Sequence, residues 1–238
     1  MRFYRPINRP QAMTFDLDDT LYDNRQVILT TVEKTHQALQ AWHPSLATLT
    51  PQDYDCERLW IEQQQPEIVH DVTAWRQATL VSLIKKAGMS LAQAQAGAEE
   101  VMTVFHQWRS AAHIPEITHK VLAELATNIP LVAITNGNAD AEQLGIAQYF
   151  SLVLRAGPDG KAKPSGDLYQ IAAQHLRLAP NTILHVGDDL ITDVKGAVVA
   201  GFQACWINDR QQNLLTASSA RVIPHLEISR LDSLTSLL

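Results

Sequence analysis

The chain has 238 residues, of which 46% are hydrophobic and 18% charged, so it can bury one large core or two modest ones. Its net charge of −6, without a run of Lys or Arg, argues against a protein that binds nucleic acid by neutralising phosphates. No apolar run approaches the ~20 residues of a membrane helix, and none follows the basic N terminus as in a secretory signal. Because Cys56 and Cys205 are too few for a disulfide scaffold, we expect a cytoplasmic globular protein with no membrane partner.

The first predicted strand, Ala12–Leu17, runs directly into a cluster of carboxylates. The chain continues Asp16-Leu17-Asp18-Asp19-Thr20, and the two-residue period of an extended chain places Asp16 and Asp18 on the same side. Two carboxylates in a water-poor crevice repel each other unless a cation lies between them. The alternative is a turn or a helix cap, where a lone Asp-x-Asp is common, and we interpret Asp19 as a turn residue.

Residues 21–112 contain no convincing strand and are predicted to be helical. Apolar residues recur there at helical spacing, at Ile28, Val32, Thr35, Leu39 and Trp42 and again at Val101, Phe105 and Trp108. Pro44, Pro66 and Gly88 divide the stretch into about four helices. We therefore expect a helical domain at 21–112, inserted into a core domain of residues 1–20 and 113–238.

The rest of the chain alternates short apolar segments with helical patterns. Further strands are predicted at Leu131–Thr135, Leu152–Ala156, Ile183–Val186 and Ala204–Ile207. Between them, one helix face is formed by Ile117, Val121, Leu122 and Leu125, and another by Leu168, Ile171, Ala172 and Leu176. Continuous apolar strands alternating with helices predict an α/β fold, a doubly wound parallel sheet covered on both faces.

Polar residues end and follow the predicted strand Leu131–Thr135. In Thr135-Asn136-Gly137-Asn138, a hydroxyl, an amide and backbone N–H groups can form a phosphate cradle, although Asn-Gly is also typical of a simple turn. Lys163 precedes Pro164, which favours an extended conformation, and its ammonium can balance carboxylates and an anionic substrate. Lys161, in a Gly-rich turn, is the competing cation.

A second carboxylate cluster follows the strand Ile183–Val186. It consists of Gly187-Asp188-Asp189, with Asp193 about one helical turn later. Because the carboxyl ends of parallel strands meet at one edge of the sheet, these carboxylates are expected to join those of the first strand. All-oxygen ligation of this kind suits Mg²⁺, so the sequence predicts a magnesium site.

Taken in order, these motifs resemble a known family. Asp16-x-Asp18-x-Thr20, Thr135 after a strand, Lys163-Pro164, and Gly187-Asp188-Asp189 with Asp193 resemble the four motifs of the haloacid dehalogenase (HAD) superfamily. The resemblance covers the whole chain and implies a HAD Rossmann-like core with the helical insertion as its cap. The run Phe15–Arg25, with 135–138 and 185–189, is most similar to family members that dephosphorylate flavin mononucleotide and 5-amino-6-(5-phospho-D-ribitylamino)uracil, an intermediate of riboflavin synthesis.

The resemblance implies a Mg²⁺-dependent phosphatase of small-molecule phosphate monoesters. Asp16 would attack phosphorus and form an aspartyl-phosphate, while Asp18 would protonate the leaving alkoxide and then deprotonate the attacking water. The implied metal ligands are Asp16, the backbone carbonyl of Asp18, and Asp188. Asp189 and Asp193 are implied to hold metal-bound waters or Lys163, without binding the ion themselves. The implied phosphoryl and substrate contacts are Thr135, Asn136, Lys163 and Leu17. Tyr22 and Asn24 are further candidate substrate contacts, because they come just after the first motif.

Other functions remain as alternatives. One is a HAD phosphatase with broad sugar-phosphate and nucleotide specificity. Another is a phosphoacceptor signalling module, which also groups Asp, Thr and Lys on a parallel sheet, or a non-catalytic binding protein. Asp18 and the helical insertion argue against the signalling module.

Family dehalogenases lack the second catalytic carboxylate and need no metal, so Asp18 and the Gly187-Asp188-Asp189 cluster favour a phosphatase. Thr20, where family mutases usually carry Gly, favours a phosphatase over a mutase.

Overall fold

The computed structural model describes all 238 residues, which divide into two compact units. The sheet unit comprises Met1–Asp23, His113–Gly137 and Ala141–Leu238. The helical unit comprises Asn24–Ala112 together with Asn138–Asp140. None of the helices is long and apolar enough to cross a lipid bilayer.

The sheet unit is organised around seven strands, all but one of whose pairings are parallel. The strands are β1 (Arg2–Phe3), β2 (Ala12–Phe15), β3 (Leu131–Thr135), β4 (Leu152–Arg155), β5 (Ile183–Gly187), β6 (Gln203–Ile207) and β7 (Leu226–Ile228). Their order is β1-β7-β6-β5-β2-β3-β4, and β1 runs antiparallel to β7. Every residue of β2, β3, β5 and β6 is buried, as expected for strands covered on both faces. The predicted α/β class with its parallel sheet is confirmed.

All five predicted strands are present: Leu131–Thr135 has the predicted ends, and the other four differ by one or two residues. The first ends at Phe15 because the chain then turns: the Leu17 carbonyl accepts hydrogen bonds from the Thr20 amide at 3.4 Å and the Leu21 amide at 2.9 Å. β1 and β7 are absent from the prediction. They are two and three residues long, which is too short for a hydrophobic period to be recognised.

The helical unit contains the predicted set of four helices. They are α1 (Arg25–Trp42), α2 (Pro51–Gln64), α3 (Val72–Lys86) and α4 (Leu91–Arg109), with 3₁₀ helices at Pro44–Leu46 and Pro66–His70. α1 and α3 both pack on α4, and α2 packs on α3. Capping boxes start two of these helices, Thr50 with Asp53 for α2 and Ser90 with Gln93 for α4, which satisfies amides that have no partner within the helix.

Three longer helical segments belong to the sheet unit. These are α5 (Glu116–Asn128), α6 (Asp167–Leu176), and a π-helical turn at Leu190–Lys195 that continues directly as α7 (Gly196–Val199). Short 3₁₀ helices lie at Ala147–Tyr149, Pro180–Thr182 and Leu231–Leu237. The π-helical turn follows β5, so it carries the second carboxylate cluster.

Two helix faces are rotated from the predicted ones because threonines are buried. In α1, Thr31 and Thr35 are buried while Val32 is 45% exposed. The Thr31 and Thr35 hydroxyls donate to the carbonyls of Val27 at 2.7 Å and Thr31 at 2.6 Å, so burial leaves no unpaired donor. Thr118 likewise replaces the predicted Ile117 in the buried face of α5.

Candidate active site

The middle of the sheet brings three sequence motifs to one edge. β2 lies between β5 and β3, and Phe15 is level with Ala133 of β3 and Val186 of β5. Because the three strands are parallel, the residues at their carboxyl ends meet at the same edge, which is where open α/β sheets bind ligands.

Lys163 is the centre of this edge. Its ammonium is buried and donates to Asp16 Oδ1 at 2.7 Å, Asp193 Oδ1 at 2.7 Å and the Ile134 carbonyl at 2.8 Å. These three bonds use all the donors of the ammonium. Its backbone is held by Asn136, whose Oδ1 accepts from the Lys163 amide at 2.7 Å and whose Nδ2 donates to the Lys163 carbonyl at 2.8 Å.

One ammonium neutralises one carboxylate, so the cluster keeps excess negative charge. Burial alone would lower the pKa of Lys163, but the charges of Asp16 and Asp193 outweigh it and raise that pKa. Burial alone would raise the pKa of Asp193, but Lys163 and His185 hold it below its ordinary value. The pKa of Asp16 is raised well above its ordinary value by burial, to which the charges of Asp193 and Asp18 add. Asp16 therefore lacks a full counter-charge.

The backbone around Asp193 is shaped to admit its carboxylate. Asp193 Oδ2 accepts from the Asp189 amide at 3.0 Å. A β-carbon placed on Gly187 would overlap the carboxyl group of Asp193, so only glycine fits at the end of β5. Asp189 itself makes no hydrogen bond to Lys163; its Oδ1 accepts from the Ile191 amide at 2.8 Å and the Thr192 amide at 2.7 Å and so caps the π-helical turn. The predicted role of Asp189 in holding water bound to the metal stays a prediction.

The structure adds two site residues that sequence reasoning missed, Thr14 and His185. They are directly opposite each other in β2 and β5, and the Thr14 hydroxyl lies 2.8 Å from His185 Nδ1. His185 Nε2 lies 3.2 Å from Asp193 Oδ1. Burial lowers the pKa of His185, so the neutral ring accepts from Thr14 and donates to Asp193. The available signal was a pair of polar residues inside two otherwise apolar strands.

The remaining predicted carboxylates lie in and near the turn after β2. The Tyr22 hydroxyl donates to Asp18 Oδ1, and the Thr20 hydroxyl donates to Asp188 Oδ1 at 3.4 Å. Asp19 has a left-handed backbone with φ of 56° and pairs with Arg210 at 3.0 Å, which agrees with its interpretation as a turn residue.

The other predicted contacts lie in different surroundings. The Thr135 hydroxyl is buried and accepts from the Gly137 amide at 2.9 Å, so it holds the loop after β3. The Leu17 side chain is fully buried. Asn24 belongs to the helical unit, where its Oδ1 accepts from Arg109 at 3.3 Å.

The carboxylates present at the sheet edge fit a divalent cation. Asp16, Asp188 and Asp193 each offer an oxygen within 4.8 Å of the others. Asp193 is committed to Lys163 and the Asp189 amide, which leaves Asp16 and Asp188 as the carboxylates available to an ion. Burial, with the charges of Asp193, Asp19 and Asp189, raises the pKa of Asp188 to about 7. Oxygen donors with uncompensated negative charge match the preferences of Mg²⁺.

Comparison with known proteins assigns the family. Residues 10–201 match the profile of haloacid dehalogenase-like hydrolases. The chain belongs to this hydrolase family. The resemblance expected from the four motifs is thereby confirmed.

Relatives of this hydrolase include both phosphatases and a dehalogenase. It is 50% identical over 238 residues, the full length of both chains, to 5-amino-6-(5-phospho-D-ribitylamino)uracil phosphatase YigB of Escherichia coli. It is 29% identical over 161 residues, 64% of this chain and 63% of the relative, to phosphoserine phosphatase of Thermus thermophilus. The crystal structure of a 2-haloacid dehalogenase from Pseudomonas syringae superposes with a TM-score of 0.90 at 31% identity, covering 96% of this chain and 97% of that chain.

The Lys163→Met variant tests the buried ion-pair cluster. Met has an unbranched side chain of similar length but leaves two buried carboxylates without their cation. The free energy of unfolding should therefore fall by about 3–5 kcal/mol. Urea unfolding near neutral pH, without added divalent ions, measures this. The control is Lys120→Met at an exposed site on α5, expected to change stability by less than about 0.5 kcal/mol. Equal losses in the two variants would contradict the buried pairing.

The Gly187→Ala variant tests the close approach of Asp193. The added methyl group must displace the Asp193 carboxylate, so we expect a loss of about 1–3 kcal/mol in the free energy of unfolding. Gly166→Ala is the matched control, because the nearest atom there is the flexible Gln170 amide nitrogen at 3.5 Å. If both alanine variants are equally stable, the steric role of Gly187 is wrong.

Proposed function

We propose that this hydrolase is a Mg²⁺-dependent phosphomonoesterase that works through an aspartyl-phosphate on Asp16. The observation that carries the proposal is the state of the Asp16 carboxylate. Oδ1 is fixed by the Lys163 ammonium at 2.7 Å, while Oδ2 accepts no hydrogen bond from the protein. One oxygen is therefore held in place while the other is available to attack phosphorus.

Asp18 is the proposed acid and base. It lies close enough to Asp16 for its charge to contribute to the raised pKa of that residue. In the first step an Asp16 oxygen bonds to phosphorus, the ester P–O bond breaks, and Asp18 gives its proton to the leaving alkoxide. In the second step Asp18 takes a proton from water, whose oxygen attacks phosphorus and releases Asp16 and inorganic phosphate. The Tyr22 hydroxyl, which donates to Asp18 Oδ1, orients this carboxyl group.

The loop after β3 is the proposed cradle of the transferring phosphoryl group, and Lys163, whose three donors are already used, acts through its charge. The Lys163 ammonium is the only cation bonded to Asp16, and it supplies positive charge where negative charge develops. Thr135 holds the loop through the Gly137 amide, and Asn136 holds the backbone of Lys163. The cradle is therefore rigid before substrate binds.

The proposed Mg²⁺ ligands are Asp16, Asp188 and the backbone carbonyl of Asp18. The raised pKa values of Asp16 and Asp188 support this assignment, since a cation would relieve the excess negative charge of both. When bound, the ion would neutralise charge on the phosphoryl oxygens and on Asp16, allowing the two anions to approach.

The proposed substrates are 5-amino-6-(5-phospho-D-ribitylamino)uracil and flavin mononucleotide. Identity of 50% over the full length of the Escherichia coli phosphatase supports the first, and the motif resemblance supports both. The helical unit is the proposed cap domain. A cytoplasmic location is also proposed, because an exposed free thiol such as that of Cys56 is typical of a reducing compartment.

Dehalogenation is the second candidate, favoured by the 31% identical dehalogenase structure. That reaction also uses a carboxylate nucleophile, and the Asp16–Lys163 pair would serve it equally well. It has no need of a cation site, which is the point on which the Asp16–Asp188 arrangement supports phosphoryl transfer.

Asp16→Asn tests the nucleophile. An amide cannot attack phosphorus, so phosphate release should fall on the order of 10³-fold or more while the fold is retained. The matched control is Asp209→Asn, which makes the same exchange at an exposed carboxylate and should leave turnover unchanged. Far-UV circular dichroism and thermal unfolding check folding. Retained turnover in Asp16→Asn would exclude it as the nucleophile.

A substrate panel tests the reaction and its specificity. Phosphate release is measured from ribitylaminouracil phosphate, flavin mononucleotide, sugar phosphates and nucleotides, with Mg²⁺ and with EDTA, and halide release from 2-chloropropionate. We expect Mg²⁺-dependent release, greatest for the first two compounds. Even turnover across the panel would indicate broad specificity, and halide release without phosphate release would establish the dehalogenase alternative.

A further inference from the structure

The helical unit contains a cavity of about 140 Å³ among α1, α2 and α3. Its lining includes the buried side chains of Leu39 and Leu80. An apolar cavity of about 150 Å³ holds a benzene molecule, so this one has room for a single six-membered ring.

Arg76 lines this cavity without the partner that such a side chain normally has. No carboxylate lies within ion-pair distance of it, and its Nη1 donates only to the Tyr54 hydroxyl, at 3.2 Å. Its guanidinium lies 4.3 Å from the ring centre of Phe105. The Nε atom is buried and makes no hydrogen bond. Because buried polar groups are almost always paired, this donor indicates a missing acceptor.

A second arginine adds positive charge to the lining of the cavity. Arg58 also lines the cavity and stacks on Trp75 at 3.8 Å, and it forms no ion pair. Burial lowers the pKa of Arg76, and the charges of Arg58 and Arg109 add to that effect. The two arginines therefore give the lining of the cavity an excess of positive charge.

The acidic residue of the lining does not neutralise this charge. Asp55 is exposed and makes no ion pair with either arginine. It would instead repel an anion that enters the cavity, which makes it a useful probe of the ligand's charge.

We propose that this cavity binds a small monocyclic organic carboxylate, with the carboxylate on Arg76 and Tyr54 and the ring against Leu39 and Leu80. The planar guanidinium fork matches a carboxylate, and the leucine side chains of the lining match the apolar ring. The site is independent of the proposed phosphatase reaction, and its test does not use catalysis.

Titration calorimetry on the full-length protein tests the proposal with benzoate as the probe. We expect saturable binding with a Kd of about 1 mM or lower. Benzamide keeps the ring without the charge, and acetate keeps the carboxylate without the ring. Both should bind at least about 10-fold more weakly than benzoate, because each lacks one half of the recognised group.

Three variants locate the binding. Arg76→Gln should weaken benzoate binding about 10-fold or more, by loss of the charge-assisted bonds. Lys85→Gln is the matched control, since Lys85 is exposed on the same helix and does not line the cavity, and it should leave the affinity unchanged. Asp55→Asn should strengthen binding severalfold by removing the repulsive charge.

Several results would overturn the proposal. They are no saturable benzoate binding, equal affinity in a folded Arg76→Gln variant, and acetate or benzamide binding as tight as benzoate. Benzoate held at the sheet edge instead would show itself as unchanged affinity in Arg76→Gln. If Arg76→Gln fails to fold in thermal unfolding, Asp55→Asn decides, and unchanged affinity in that variant rejects the site.

Discussion

The sheet edge depends on one buried cation, the ammonium of Lys163. Its three acceptors come from three separate segments: Asp16 after β2, Ile134 in β3, and Asp193 in the π-helical turn after β5. These segments are far apart in sequence, so one side chain sets their relative positions. The same ammonium is too little charge for the carboxylates around it, and this imbalance creates the preference for a further cation and an anionic substrate.

Polar contacts continue from Lys163 into the interior of the sheet. Asp193 bonds to His185, and His185 bonds to Thr14, so a chain of buried hydrogen bonds links the edge to the middle of β2 and β5. Each buried polar atom in this chain has a partner, which is the condition under which a polar network stabilises one arrangement. Supporting contacts of this kind hold reacting groups in place before substrate arrives, and reduce the reorganisation needed during the reaction.

The sequence was most informative where the pattern is local or the chemistry is distinctive. Continuous apolar strands identified the central sheet, and their position directly after such strands grouped carboxylates that lie more than 170 residues apart, such as Asp16 and Asp188. Contacts made only by the folded chain were not predictable. Asn138–Asp140 follows a core strand yet joins the helical unit, because Asn138 bonds to Thr73 at 3.1 Å and to Arg109 at 3.2 Å. His185 was missed because a buried histidine in a strand has no spacing signature.

The shortest strand of the sheet bears on how the protein behaves at high concentration. β7 would present unpaired backbone groups to neighbouring molecules if β1 did not cover it. β1 is only two residues long and includes Arg2, so it offers little backbone for another chain to extend. On that side the sheet is thereby protected from edge-to-edge pairing with other molecules.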